Sequence, residues 1–124
     1  MNKLAQMKAA NMDVCAIDSL TEDHCAVEVT VSLIGGKWKP IILFHIFTCE
    51  IIRFSELNRK LPQVSDRMMA RQLKELEADG LLTRNVRSTF PLKVEYALTR
   101  DGRSLVPILQ AMSDWGEKRQ SLSL

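Results

Sequence analysis

The chain has 124 residues and a formal net charge of +2, and 46% of its side chains are hydrophobic, 26% charged and 6% aromatic. These proportions predict one folded domain with a real core, argue against wholesale disorder, and leave too few aromatic rings for a surface that stacks single-stranded bases. No apolar run approaches the roughly 20 residues of a membrane span, and the N-terminus lacks the apolar segment of a secretory signal, so we expect a cytoplasmic protein without a membrane partner.

The first part of the chain divides into an arm and two helices. We predict an N-terminal arm over residues 1–24 and the folded domain over residues 25–124. The stretch "CAVEVTVSLIGG", from Cys25, suits a helix or a strand because of its β-branched residues; we favour the helix, since Gly35 and Gly36 supply the positive φ of a C-terminal cap. "KWKPIILFHIFTC" then predicts a buried central helix that tolerates a proline in its first turn.

The middle of the chain has the pattern of a helix-turn-helix. "IIRF" predicts a short extended link, after which Ser55 is expected to cap a helix over "SELNRKL" that Pro62 ends. Ser65 is expected to cap a second helix that ends at Gly80. A short helix, a tight polar turn and a second capped helix together indicate a helix-turn-helix.

The remaining residues predict a β-hairpin and a last helix. "LLTRNVR" and "KVEYALT" alternate apolar and polar residues on either side of a loop containing Pro91. Thr99 is expected to cap a helix that Pro107 kinks or breaks, because proline lacks an amide donor. The apolar stripe of this helix comprises Leu105, Ile108, Leu109, Met112 and Trp115. The predicted fold class is therefore mainly α with a β-hairpin wing (α+β), the winged helix-turn-helix.

The second helix of the helix-turn-helix carries two stripes at the spacing of one helical face. One stripe is apolar and should be buried: Met69, Leu73 and Leu76. The other is cationic: Arg67, Arg71 and Lys74. DNA-reading helices present their first turns to base edges, where Ser65, Asp66 and the small Ala70 lie. An arginine here could pair with guanine, worth about 1–3 kcal/mol of discrimination; solvation of an exposed face is the simpler alternative.

The distribution of charge favours DNA. Residues 1–52 carry four Lys/Arg against six Asp/Glu, residues 53–100 ten against six, and residues 101–124 three of each. The positive excess therefore lies in the segment of the helix-turn-helix and hairpin, which indicates a polyanionic partner. We predict DNA contacts at Ser55, Ser65, Asp66, Arg67, Ala70, Arg71, Lys74, Arg84, Arg87 and Lys93.

The chemistry of an enzyme or a metal site is missing from the sequence. There is no Gly-rich phosphate loop or nucleophile elbow, and His45 lies in an apolar helix, where a satisfied core residue is expected. The three cysteines form no C-x-x-C pair and should remain thiols in the cytosol. We therefore predict a non-enzyme with no cofactor and no metal.

Four segments resemble the HxlR family, a MarR-like group of bacterial winged-helix regulators. They are "LIGGKWKPIILFHI", "RFSELNRKLPQVSDRMMARQLKELEADGLLTR", "VEYALTRDGRSLVPIL" and "MSDWG". The resemblance implies a homodimeric transcription factor on a pseudo-palindromic operator, with residues 65–78 in the major groove, residues 82–98 as the wing, and reading helices about 34–36 Å apart. It implies a dimer built from the N-terminal segment and last helix, at Val27, Val31, Ile34, Leu105, Ile108, Leu109, Met112 and Trp115.

Cys25 is the predicted sensor. Many members of the family carry a cysteine just before the first core helix that senses oxidants or electrophiles such as quinones and aldehydes, and Cys25 matches that position. The partial positive charge of a helix N-terminus also stabilises a thiolate, the form that these reagents attack. Cys15 is the candidate resolving partner, and Cys49 is expected to be a buried core thiol. The alternatives are a regulator of this fold that responds to a non-covalent small ligand, and a protein-interaction module without DNA binding.

Overall fold

The computed structural model describes residues 25–123, and the side chains of residues 25–122. The predicted arm, with Cys15, lies outside the described residues, so its boundary stays a prediction. The elements in chain order are α1 (Ala26–Ile34), α2 (Lys39–Cys49), β1 (Ile51–Arg53), α3 (Phe54–Lys60), α4 (Asp66–Ala78), β2 (Leu82–Thr89), β3 (Leu92–Leu98), α5 (Arg100–Arg103) and α6 (Val106–Ser123). The chain divides into two compact units between Leu33 and Ile34, which are described separately.

Helix α1 makes up most of the described part of the first unit. It begins directly after Cys25, whose carbonyl oxygen accepts a 3.2 Å hydrogen bond from the amide of Val29. Val27, Val29 and Val31 are all exposed. The helix is therefore confirmed over the strand, and Gly36, with φ of +87°, supplies the expected left-handed residue after it.

The core of the second unit is built from apolar faces of α2, α4 and the sheet. Ile42, Leu43 and Ile46 of α2 are fully buried, although Phe47 on the same helix is 37% exposed. The predicted apolar stripe of α4 is confirmed as buried. The core residues at no more than 1% exposure are Ile42, Leu43, Ile46, Ile52, Leu57, Met69, Leu73 and Leu76.

The sheet has three antiparallel strands in the order β1-β3-β2. The hairpin of β2 and β3 is confirmed, with a β-bulge between Val86 and Ser88. The predicted extended link "IIRF" is in fact strand β1, which pairs Ile52 with Tyr96. Both of these side chains are buried, so this strand joins the hairpin to the helical core.

One of the predicted helix caps is wrong and two are confirmed. Helix α3 begins at Phe54 rather than after Ser55, because Glu56 reaches back and its Oε1 accepts a 3.0 Å hydrogen bond from the amide of Arg53. Ser65 does cap α4, since its Oγ accepts a 3.1 Å hydrogen bond from the amide of Met68. The hydroxyl of Thr99 likewise accepts from the amide of Gly102 at 2.9 Å and so caps α5.

The predicted last helix is broken into two pieces, as Pro107 indicated. Helix α5 ends at Arg103, and α6 begins at Val106 with the proline in its first turn, where the missing amide has no intrahelical partner to lose. Among residues 25–123, none of the helices has the length and apolar character needed to cross a membrane.

Gly102 lies where α5 meets the end of α4. Thr99 Oγ1 donates a 2.6 Å hydrogen bond to the carbonyl oxygen of Gly80, and the amide of Thr99 donates a 3.1 Å bond to that of Leu81. A Cβ atom on Gly102 would collide with this same carbonyl group of Leu81. The backbone there can move only by breaking these bonds.

We predict that Gly102→Ala lowers the free energy of unfolding by about 1–3 kcal/mol, since the collision is with backbone. Gly116→Ala is the matched control, because no atom lies within 4 Å of its added Cβ and alanine favours the helix by about 0.5–1 kcal/mol. Urea unfolding of both variants measures the difference. Equal stability of the two variants would contradict this description of the α5 junction.

Candidate nucleic-acid interface

The helix-turn-helix consists of α3, residues 61–65 and α4. Leu61 and Val64 of the turn are each 5% exposed, and the amide of Val64 donates a 3.0 Å hydrogen bond to the carbonyl of Leu61. The turn is therefore anchored in the core. Together with the buried stripe of α4, this anchoring determines which face of α4 is open to solvent.

All ten residues predicted to contact DNA are exposed. A groove of about 770 Å³ runs between α4 and the wing (residues 82–98). Five of the ten line it: Ser55, Ala70, Lys74, Arg84 and Lys93. The structure therefore brings together side chains from four elements, α3, α4, β2 and β3, that lie up to 38 positions apart in the chain.

The groove is strongly cationic. Its charged lining consists of Arg53, Lys74, Arg84 and Lys93 against the single carboxylate of Glu77. None of these four cations forms an ion pair with another side chain among residues 25–122. They form the "cationic groove", and their charges are free to meet an external anion such as a phosphate.

Arg53 was missed by the sequence reasoning. It is exposed and lies at the end of β1, immediately before α3. The sequence signal for its position was the extended "IIRF" beside a helix start, but only the pairing of Arg53 with Glu95 in the sheet brings it to the wing.

Two of the predicted arginines are already paired with carboxylates. Arg87 Nε lies 2.7 Å from Glu95 Oε1 across the hairpin, and Arg71 Nε lies 3.3 Å from Glu75 Oε2. Neither arginine lines the cationic groove. A part of their charge is thus balanced within the subunit.

Glu75 connects α4 to α2. Its Oε1 lies 2.8 Å from Lys39 Nζ, while its Oε2 faces Arg71. The hydrogen bond from Lys39, and next the one from Arg71, hold the pKa of Glu75 below its usual value, so it is ionised at neutral pH. One carboxylate therefore serves two cations.

The N-terminal end of α4 lies outside the groove lining. Ser65, Asp66 and Arg67 are exposed at this end, next to the helix cap. The carboxylate of Asp66 is favourable for the helix dipole but would repel a phosphate. Arg67 is thus the cation of the first turn, and it has no ion pair with any side chain of residues 25–122.

The sequence matches the HxlR-like helix-turn-helix family over residues 33–123. The chain belongs to the HxlR family. It is 46% identical over 104 residues to the uncharacterized HTH-type transcriptional regulator YdeP of Bacillus subtilis, covering 82% of this chain and 80% of that one. Relatives of the HxlR family are named as transcriptional regulators and not as enzymes, so the chain is a transcriptional regulator of the helix-turn-helix type.

Similar solved structures confirm the winged-helix fold. The redox regulator HypR in its oxidized form is 48% identical, with a TM-score of 0.72, over 76% of this chain and 96% of that one. The quinone-bound YodB from B. subtilis is 32% identical, with a TM-score of 0.62, over 74% of this chain and 96% of that one.

Cys25 and Cys49 are both half-buried free thiols. Cys25 lies at the predicted place, immediately before α1. Cys49 is the last residue of α2. It was expected to be a buried core thiol, but it is only half-buried. Among the described residues, no cluster of three or more His, Cys, Asp or Glu has the arrangement of a metal site.

The residues predicted for the dimer interface of an HxlR protein fall into three groups by their exposure. Ile34 and Leu109 are only 5% and 3% exposed, so their side chains have almost no surface left for a second subunit, and that part of the prediction needs correcting. Leu105 is half-buried. Those with surface to offer are Val27, Val31, Ile108, Met112 and Trp115.

His45 lines a cleft between α2 and α6 rather than lying wholly in the core. The cleft has a volume of about 230 Å³, and its lining is mostly apolar: Pro40, Ile41, Phe44, His45, Leu109, Met112 and Ser113. Burial, and secondarily the positive charge of Lys60, lower the pKa of His45 below its ordinary value. The imidazole is therefore neutral at pH 7.

We predict that His45 makes the fold less stable in mild acid. Because its folded pKa lies below the unfolded value of about 6.5, the unfolded chain binds more protons between the two values. The stability that the neutral imidazole contributes is fully present above the unfolded pKa and is lost as the pH falls through the folded pKa. Urea unfolding at pH 7.5 and pH 5.5 should show a smaller loss for His45→Gln than for wild type; identical losses would refute the prediction.

Proposed function

We propose that the chain represses or activates transcription as a homodimer that reads a pseudo-palindromic DNA operator and is switched by modification of Cys25. The observation that carries the DNA part is the cationic groove beside the exposed face of α4. Four cations without an ion-pair partner among the described side chains, held by four different elements on one surface, exceed what solvation of a single helix requires.

In this arrangement α4 is the recognition helix and lies in the major groove. Arg67, in its first turn, is placed to reach base edges, and Ala70 has no bulk that would keep the backbone of α4 away from DNA. Lys74, Arg84 and Lys93 then meet phosphates along the cationic groove. These contacts orient the protein, while the first turn of α4 supplies the sequence preference.

A dimer is supported by the exposed apolar side chains of α1 and α6. Val27 and Val31 are 67% and 56% exposed, and Met112 and Trp115 are 50% and 69% exposed. Large apolar side chains in such numbers mark an interaction surface on each of these helices. A second copy of each helix would cover them.

The sensing part is supported by the place of Cys25 and by the family. The thiol is free, half-buried and lies directly before α1, so reagents in solution can reach it. Structures of relatives include a redox regulator in oxidized and reduced forms and a quinone-bound protein. A thiolate adds to an electron-poor ring carbon of a quinone and forms a C–S bond, and the ring oxygen accepts the electron pair and then a proton.

We predict that Arg84→Ala weakens binding of a duplex that the wild-type protein selects from a random-sequence pool. Loss of one phosphate contact should reduce the slope of log K against log salt concentration by about 0.9 per subunit. Arg87→Ala is the matched control, since Glu95 already balances its charge, and it should change the slope less. If wild type bound no duplex at low salt, the proposed function would fail; equal slopes for both variants would reject only the assigned surface.

We predict that Cys25→Ser binds the same selected duplex as tightly as wild type but is no longer released by benzoquinone. Cys49→Ser is the matched control and should be released normally. Cys49 is the last residue of α2, whereas Cys25 precedes α1. Gel-shift assays with and without the quinone, together with the intact mass of each variant, measure release and adduct formation. Normal release of Cys25→Ser would reject the sensor.

The second candidate is a regulator of the same operator that responds to a non-covalent ligand. The specific observation in its favour is the 230 Å³ cleft with mostly apolar lining and a neutral imidazole, which suits a small aromatic molecule. The Cys25→Ser assay separates the two candidates, because a non-covalent inducer would still release that variant.

A further inference from the structure

The tip of the wing carries three consecutive apolar residues. Phe90 and Pro91 form the turn between Thr89 and Leu92, which pair with each other. Phe90 is 97% exposed, more than any other large hydrophobic side chain in residues 25–122, and Leu92 is 65% exposed. A phenylalanine that stays in water at the end of a hairpin contributes no burial free energy to its own subunit. Its exposure therefore indicates a contact with another molecule.

The tip is continuous with the cationic groove. Pro91 and Leu92 line the groove on one side, and Ala70 and Lys74 of α4 line it on the other. The groove therefore separates the recognition helix from the wing tip. When α4 occupies the major groove, the phosphate strand bordering that groove runs along the cations, and the tip beyond it meets the adjacent minor groove.

We infer that Phe90 inserts as an apolar wedge into the minor groove beside each half-site and partly unstacks one base step. This inference rests on the proposed DNA binding and deepens it. Phenylalanine, leucine and proline are the side-chain types that open base steps from the minor groove. Because pyrimidine–purine steps unstack most readily, the wedge gives the protein a preference for such a step at a position that forms no hydrogen bond with a side chain.

The charges of the wing favour DNA over a protein partner for this tip. Two cations of the wing line the groove: Lys93 directly follows Leu92 at the tip, and Arg84 lies opposite Tyr96 nearer the base of the hairpin. Glu95 is engaged by Arg87 at 2.7 Å. The wing therefore offers an apolar tip with a cationic base, which matches the apolar base step and the phosphates on either side of it.

The test uses the full chain and a duplex selected by wild type from a random pool, with 2-aminopurine placed in turn at each flanking position. Wild type should increase the fluorescence at one position per half-site. Phe90→Ala should abolish the increase and weaken binding by about tenfold without changing the salt slope, because no charge is lost. Phe90→Leu, which keeps an apolar wedge, should retain most of the increase.

Lys93→Ala is the matched control, since it should reduce the salt slope and leave the fluorescence change in place. Thermal unfolding of Phe90→Ala should equal that of wild type, because the side chain is solvated. If Phe90→Ala binds and unstacks the duplex as wild type does, the wedge is overturned and a protein becomes the better partner for the tip. If wild type selects no duplex at all, the failure belongs to the proposed function and not to the wedge alone.

Discussion

The buried stripe of α4 is the constraint on which the rest of the second unit depends. Met69, Leu73 and Leu76 are at most 1% exposed, and full burial of such side chains contributes about 1.5–3 kcal/mol each. Their sum is of the same order as the whole stability of a small domain, about 5–15 kcal/mol. The orientation of α4 is therefore set by its apolar side. The charged side chains of the opposite side remain exposed and can contact a partner.

Glu75 holds its two cationic partners with different strength. Glu75 holds Arg71 and also Lys39, which is only 12% exposed and needs a counter-charge. The Arg71 side chain, at 70% exposure, is the more weakly held of the two, since exposed pairs contribute little. A phosphate could draw Arg71 away while Lys39 keeps Glu75 in place, so DNA binding would leave the link between α2 and α4 intact.

The contacts of Gly102 with Leu81 and of Arg87 with Glu95 are ones that sequence patterns reveal only in part. Local signals predicted the elements well: the Ser65 cap, the break at Pro107 and the alternation of residues 93–98 all describe interactions within a few residues. Strand β1 was missed because three residues carry no period, and its partner Tyr96 lies 44 positions from Ile52. The cap of α3 was misplaced for a related reason, since pairing in β1 holds Arg53 extended and lets Glu56 reach its amide.

The candidate site shows the same division. The cations of α4 were predicted because they share a helical face, and their exposure follows from the buried stripe opposite. Arg53 was not predicted, because it joins the groove only through the sheet. The sequence pattern also predicted DNA contacts for both Arg84 and Arg87. The bulge between Val86 and Ser88, however, leaves Arg87 without a partner in the strand register, and its guanidinium faces Glu95.

The apolar stripe of α6 shows what a periodic pattern leaves undecided. Leu109 is buried against its own subunit, whereas Met112 and Trp115, three and six residues later, are half or more exposed. Both groups have the same spacing, so periodicity cannot separate a side chain that completes the core from one that awaits a partner. Exposure in the folded subunit supplies the missing distinction. Helix α5 is tied to the end of α4 through Thr99 and Gly102, and Leu109, in the first turns of α6, is buried at 3% exposure. Met112 and Trp115, further along α6, are exposed apolar side chains that burial against a second subunit would stabilise.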